Sequence, residues 1–135
     1  MIRIDRNFFL SDAVTVARQL PGMEIVTGSG SERYMITETE AYMPDGDRAC
    51  HASRGRTRRT EPMFLEGGHL YLYFVYGMHW MLNVVTGPAE SPQAVLIRGL
   101  SECMGPGRVT KALGIDRALN GEDAVTSERL WFEDA

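Results

Sequence analysis

The chain has 135 residues, 44% hydrophobic and 24% charged, with a formal net charge of −4. That size and composition predict a single globular domain over residues 1–135 with one core. No run is long and apolar enough to read as a membrane span, and Met1-Ile2-Arg3-Ile4-Asp5-Arg6 lacks the apolar stretch and cleavage site of a leader.

Ser11-Asp12 precedes Ala13, Val16, Ala17 and Leu20 at helical spacing, which predicts a short amphipathic helix with Ser11 as N-cap and Pro21-Gly22 as stop. Residues 23–27 and 33–42 read as strands joined by the turn Gly28-Ser29-Gly30-Ser31. On period two, Tyr34, Ile36, Glu38, Glu40 and Tyr42 share one face of the second strand. Residues 43–68 predict a long loop with a helical turn, and loops of that length in small domains carry function or are disordered. Residues 69–76 form an aromatic strand with His69, Tyr71, Tyr73 and Val75 on one face, and Gly77 marks a bend. Residues 79–86 and 93–98 are further strands around the breaker Gly87-Pro88. Gly105-Pro106-Gly107 opens a helix over 108–113 that Gly114 closes, and beyond it the pattern fades.

Charge is unevenly distributed. Between Arg48 and Arg59 lie five arginines (Arg48, Arg54, Arg56, Arg58, Arg59) and no acid, whereas the last segment carries Glu122, Asp123, Glu128, Glu133 and Asp134. The basic run is either a phosphate-binding patch on an acidic protein or a solvated loop. Cys50 and Cys103 form no Cys-x-x-Cys pair, so free thiols in a reducing compartment are expected. No His or Cys set has metal-ligand spacing, and no metal or cofactor is expected.

Glu38 and Glu40 compete as candidate acids near aromatic residues, and spacing does not separate them. His51 is either a site residue or a loop histidine bonded to backbone. Tyr71, Tyr73 and Tyr76 are core aromatics by default, although three hydroxyls in six residues point to a wet cavity. Asn83, within Met81-Leu82-Asn83-Val84-Val85, can read a ligand edge or bond the backbone. Arg98, ending Ala94-Val95-Leu96-Ile97, can pair with Glu38 or Glu40.

An ordered set of segments resembles the alkyladenine (3-methyladenine) DNA glycosylase family. It comprises Arg6-Asn7-Phe8-Phe9, Glu38-Thr39-Glu40-Ala41-Tyr42, His51-Ala52-Ser53-Arg54-Gly55, Pro62-Met63-Phe64, Gly68-His69-Leu70-Tyr71-Leu72-Tyr73-Phe74-Val75-Tyr76-Gly77-Met78, Leu82-Asn83-Val84-Val85, Val95-Leu96-Ile97-Arg98 and Gly105-Pro106-Gly107-Arg108. Each block is weak alone; their order and spacing are specific.

The resemblance implies a base-flipping enzyme that hydrolyses the N-glycosidic bond of alkylated or deaminated purines with an activated water. Glu40 falls on the general base and Arg98 on the residue that holds its water. Tyr42 and Tyr73 fall on the two stacking walls, His51 on a nucleotide contact, and Asn83 on the residue that penalises the amine of normal guanine. Tyr76 falls on the DNA wedge, with Met78 beside it. Arg54, Arg56, Arg58 and Arg59 are the candidate phosphate contacts.

The implied partner is double-stranded DNA with a damaged purine, met by a monomer inside the cell: in the cytoplasm or nucleoid of a bacterium, or the nucleus of a eukaryote. The expected fold is a single α+β domain with a mixed, mainly antiparallel curved sheet and short peripheral helices. Relative to the family, the Gly-Pro-Gly block follows Arg98 closely and the C-terminal half is short. A non-catalytic module binding damaged bases or abasic DNA is the alternative, and a small-molecule binder unrelated to DNA is a weaker third.

Overall fold

The computed structural model describes residues 2–43, 57–58, 60–75, 77, 79–101 and 103–134. The chain begins with β1 (Ile2–Arg3) and the one-turn helix α1 (Arg6–Phe9), whose N-cap Asp5 accepts the Phe8 N–H at 3.2 Å. Helix α2 (Ala13–Gln19) follows. Its N-cap is Asp12 rather than Ser11, because the Asp12 carboxylate accepts both the backbone N–H and the hydroxyl of Thr15. Ala13 and Val16 point inward as the helical spacing predicts.

Next come β2 (Glu24–Thr27), a 3-10 turn at Gly28–Gly30 and the long strand β3 (Glu32–Tyr42). A second 3-10 turn (Glu61–Phe64) leads to β4 (Leu70–Val75), β5 (His79–Val85) and β6 (Ala94–Leu100). Then follow β7 (Cys103–Met104), α3 (Pro106–Leu113), a 3-10 turn at Arg117–Leu119 and β8 (Leu130–Asp134). Gly114 stops α3 in the left-handed region with φ 67°, the conformation that a closing glycine supplies.

The strands form one eight-stranded sheet in the order β1-β8-β2-β3-β6-β5-β4, with β7 added to β6. All the pairings among the described strands are antiparallel, so the fold is the α+β class that the sequence predicts. Strand β8 lies in a stretch where the sequence pattern faded. It inserts between β1 and β2, with Phe132 opposite Ile25, and Leu130 and Phe132 alternate into the core.

The main core lies between one face of the sheet and the three short helices. Phe9, Val16, Leu20, Ile36, Leu82 and Val109 are among its fully buried members. Each such side chain contributes about 1.5–3 kcal/mol of burial free energy. A smaller cluster occupies the opposite face: Met63, Tyr71, Val85 and Ala94, with Tyr42, Phe64 and Tyr73 packed against it. Among the described residues no helix is long and apolar enough to cross a membrane.

One irregularity in the middle of the sheet sets which residues reach that second face. The β3–β6 register shifts between Ile36 and Glu38 and again between Glu38 and Thr39. Before the shift, Tyr34 and Ile36 meet the main core; after it, Ala41 does, and the Thr39 hydroxyl reaches the Ala17 carbonyl of α2 at 2.6 Å. Strand β6 switches at the same place, from Val95 and Ile97 in the core to Leu100. The period-two expectation that Tyr34 and Ile36 share a face with Glu40 and Tyr42 is therefore overturned, because an inserted residue reverses the alternation. Glu40 and Tyr42 are freed for the second face while Ile36 still packs inside.

Candidate active site

On the second face, Glu40 stands opposite Leu96 and Tyr42 opposite Ala94. Arg98 lies two residues beyond Leu96, the diagonal position from which a long side chain spans to a neighbouring strand. Its Nη1 donates to Glu40 Oε2 at 2.9 Å. The pairing that sequence left open is thus made with Glu40; Glu38, exposed at the register shift, makes only a weaker electrostatic contribution at Arg98. The hydrogen bond to Glu40 and then its negative charge raise the Arg98 pKa, so the guanidinium is a permanent cation here.

The pair is open to water. The Arg98 side chain is 46% exposed and that of Glu40 40% exposed. Exposed ion pairs add only about 0–1 kcal/mol to stability. The geometry therefore serves a carboxylate that faces solvent more than it serves folding. The end of β6 that carries Arg98 is held by α3: the Gly105 N–H donates to the Arg98 carbonyl at 2.8 Å. Gly107 lets that helix come close to β5, since a Cβ there would lie 2.7 Å from His79 Nδ1.

Tyr42 is half-buried against the small cluster, on the same face of β3 as Glu40. Burial first, then the neighbouring Glu40 carboxylate, push its phenol well above the ordinary tyrosine value. It stays a neutral donor at physiological pH. Tyr73, on β4 opposite Met81, packs against the same cluster with its ring centroid 5.3 Å from that of buried Tyr71. Met63, Val85 and Ala94 complete the apolar floor under Tyr42 and Tyr73. Pro62-Met63-Phe64 has no role legible from sequence; the 3-10 turn there brings Met63 into the floor.

Asn83 sits between Tyr71 on β4 and Leu96 on β6 and is 2% exposed. Its Nδ2 donates to the Tyr71 carbonyl at 3.2 Å and to the Met81 carbonyl at 3.4 Å, which is the backbone-bonding alternative. Arg58 is exposed. His51, Arg54, Arg56, Arg59, Tyr76 and Met78 lie outside the described residues, as does Cys50; Cys103 is a free thiol. Gly77 is described and has φ 65°, the left-handed bend that suits glycine between β4 and β5. Among the described residues no group of three or more His, Cys, Asp or Glu side chains is arranged to hold a metal.

Five residues that the sequence pointed to thus converge on one face: Glu40, Arg98, Tyr42, Tyr73 and Asn83. The arrangement offers a water-facing carboxylate paired with a cation, next to an aromatic wall. Such a carboxylate can take a proton from a water held between it and the guanidinium.

Comparison with known proteins agrees in kind. A family model described as Methylpurine-DNA glycosylase (MPG) matches residues 7–104. A protein of Borrelia garinii subsp. bavariensis is 42% identical over 144 aligned positions, covering 96% of this chain and 77% of the relative. One from Psychrobacter cryohalolentis is 38% identical over 160 positions, covering 95% and 76%. One from Natranaerobius thermophilus is 36% identical over 158 positions, covering 99% and 80%. Each bears the name "Putative 3-methyladenine DNA glycosylase". These alignments are longer than the chain's 135 residues, so the relatives carry segments that this chain lacks. The chain belongs to the methylpurine-DNA glycosylase family.

Proposed function

We propose that the protein is a monofunctional base-excision-repair glycosylase that removes alkylated or deaminated purines from double-stranded DNA. The observation that carries this reading is the 2.9 Å Arg98–Glu40 pair, open to water and bordered by Tyr42 and the Tyr73 wall. Family membership supports the reaction class.

In this reading the damaged nucleotide leaves the stack, which costs a few kcal/mol and least for a damaged or mispaired base. Its purine is held between the rings of Tyr42 and Tyr73, recovering about 1–3 kcal/mol of stacking per base. Electron-rich walls favour alkylated purines that carry positive charge. Glu40 accepts a proton from a water oriented with Arg98. The water oxygen forms a bond to the deoxyribose C1′, the C1′–N bond breaks, and its electron pair leaves with the purine. The products are a free base and an abasic site. A cationic purine needs no further activation to leave; hypoxanthine is the slower substrate on this logic.

His51 contacts the flipped nucleotide, Tyr76 fills the gap in the stack with Met78 beside it, and Asn83 penalises the exocyclic amine of guanine. Arg54, Arg56, Arg58 and Arg59 meet phosphates and make binding salt-dependent despite the acidic net charge. The enzyme acts as a monomer inside the cell, in the cytoplasm or nucleoid of a bacterium.

The test is a duplex with a single hypoxanthine or ethenoadenine, incubated with the protein and treated with alkali. Strand breaks at the lesion are expected. Tight binding to an abasic analogue with no breaks on either lesion would replace the enzyme with a damaged-base binding module.

A further inference from the structure

Two residues at the register shift have no partner across the β3–β6 ladder. The pairs run Ile36 with Leu100, Glu38 with Gly99 and Thr39 with Ile97, which leaves Thr37 extra on β3 and Arg98 extra on β6. Arg98 therefore leaves from a stretch of backbone that β3 does not hold in register. Strand β7 holds that stretch from the other side. Gly99 pairs with Met104 and Leu100 with Cys103, and the Gly105 N–H donates to the Arg98 carbonyl at 2.8 Å.

The Met104 side chain does more than accompany that pairing. It lies across β6: a Cβ on Gly99 would fall 3.1 Å from its Sδ and 3.3 Å from its Cε. Beyond β6 it reaches the other extra residue, Thr37, whose hydroxyl donates weakly to Sδ at 3.9 Å. The missing side chain of Gly99 is what lets the thioether cross. Met104 is 50% exposed and belongs to neither core cluster, so burial does not account for its placement. It joins β7 to β3 over the residue that follows Arg98.

We propose that Met104 is a positioning residue for Arg98, clasping the irregular parts of β3 and β6 so that the guanidinium meets Glu40 Oε2 at 2.9 Å. The inference rests on the reading of the Arg98–Glu40 pair as the holder of the attacking water, and adds a residue that acts through the backbone of Arg98. A small slide of the irregular stretch is carried to the end of a long diagonal side chain. Reaction geometry is sensitive to displacements of about 1 Å. An unbranched, polarizable thioether suits such an uneven surface.

Clasp and strand pairing are separable by substitution. Met104→Ala removes the side chain over Gly99 and leaves the backbone pairing of β6 with β7, whereas Met104→Leu keeps apolar bulk there. The assay measures the single-turnover excision rate at saturating enzyme on a hypoxanthine duplex, and separately the affinity for a duplex with an abasic analogue. For Met104→Ala, with an unchanged melting curve, the rate falls about tenfold or more while affinity stays within about twofold. Met104→Leu stays within about threefold of the wild-type rate. Arg98→Met combined with Met104→Ala is no slower than Arg98→Met alone, the non-additivity of residues that act as a unit.

A Met104→Ala protein with the wild-type rate overturns the proposal. So does one whose rate and affinity fall together, or a double substitution whose losses add in full, because Met104 would then serve binding or act apart from Arg98. A Met104→Leu protein as slow as Met104→Ala overturns it too, since packing over Gly99 would not be the cause. If Arg98→Met alone excises at the wild-type rate, the reading of the pair itself fails; if Arg98→Met is slow while Met104→Ala is fully active, only the positioning role fails.

Discussion

Arg98→Met separates a catalytic ion pair from a structural one. The substitution keeps an unbranched apolar stem and deletes the charge and donors that reach Glu40 at 2.9 Å. Because the two side chains are 46% and 40% exposed, water replaces most of what the pair contributes to folding, and the stability loss is at most about 1 kcal/mol. Catalysis responds differently. If Glu40 is the reacting carboxylate, losing one charge-assisted hydrogen bond to it removes about 1.5–3 kcal/mol, which corresponds to about 10- to 150-fold in rate. Urea unfolding at neutral pH gives the first quantity, and single-turnover excision of hypoxanthine at saturating enzyme gives the second. A loss above about 3 kcal/mol, with a rate that merely tracks the folded fraction, would show the pair to be structural and refute the argument. An unchanged rate would refute it equally.

Two further outcomes concern the frame that holds the site. Gly67→Ala places a Cβ 2.0 Å from the carbonyl oxygen of buried Phe9, and backbone cannot yield as a flexible side chain can. A loss of about 3 kcal/mol or more is expected by urea unfolding, and a loss below about 1 kcal/mol would contradict the packing described. Acid should also weaken the fold. Burial raises the Asp123 carboxyl, but the Arg6 hydrogen bond and the Val125 N–H outweigh it and leave it below its ordinary 3.8. Hydrogen bonds from Arg129 and Ser127 hold Glu122 below 4.5. For depressed acids the stabilisation is complete above the ordinary values and is lost as pH falls through the folded ones. The urea midpoint is therefore expected to be steady from neutrality to about pH 5 and to drop below it, less steeply in Asp123→Asn; equal slopes in the two proteins would contradict this.

Much of the fold was legible because its signals are local. Alternation placed β2, β4, β5 and β6 within a residue or two, and Gly114 gave the end of α3 by the conformation that only glycine adopts cheaply. What escaped was set by tertiary pairing. Strand β8 carries a short inward alternation, Leu130 and Phe132, that acquires meaning only once β1 and β2 flank it. Asp12 outcompetes Ser11 as cap because its two oxygens satisfy both donors of Thr15. The register shift at Ile36–Thr39 had a usable sign in Gly99, a glycine inside strand β6. A side chain there would meet the Thr37 hydroxyl at 2.9 Å, the close approach that strand glycines mark.

The site was legible in part. Period two put Glu40 beside Tyr42 correctly, yet could not rank Glu40 above Glu38, because the choice depends on where Arg98 arrives from β6. That ranking came first from the resemblance to the family. The structure shows that Arg98 pairs with Glu40 rather than with Glu38. Asn83 shows the opposite case: its type suggested a ligand-reading amide, and the fold satisfies its nitrogen with the Tyr71 and Met81 carbonyls. In the proposed mechanism it discriminates by occupying space near the base edge, from a position fixed by the backbone.

The most direct test of the account is the excision rate of Glu40→Gln, which keeps the shape of the side chain and removes its capacity to take a proton. Single-turnover cleavage of a hypoxanthine duplex at saturating enzyme should fall by at least about a hundredfold, the low end of what a positioned general base contributes. Affinity for the abasic duplex should be retained. A Glu40→Gln protein that excises hypoxanthine at the wild-type rate would contradict the central claim.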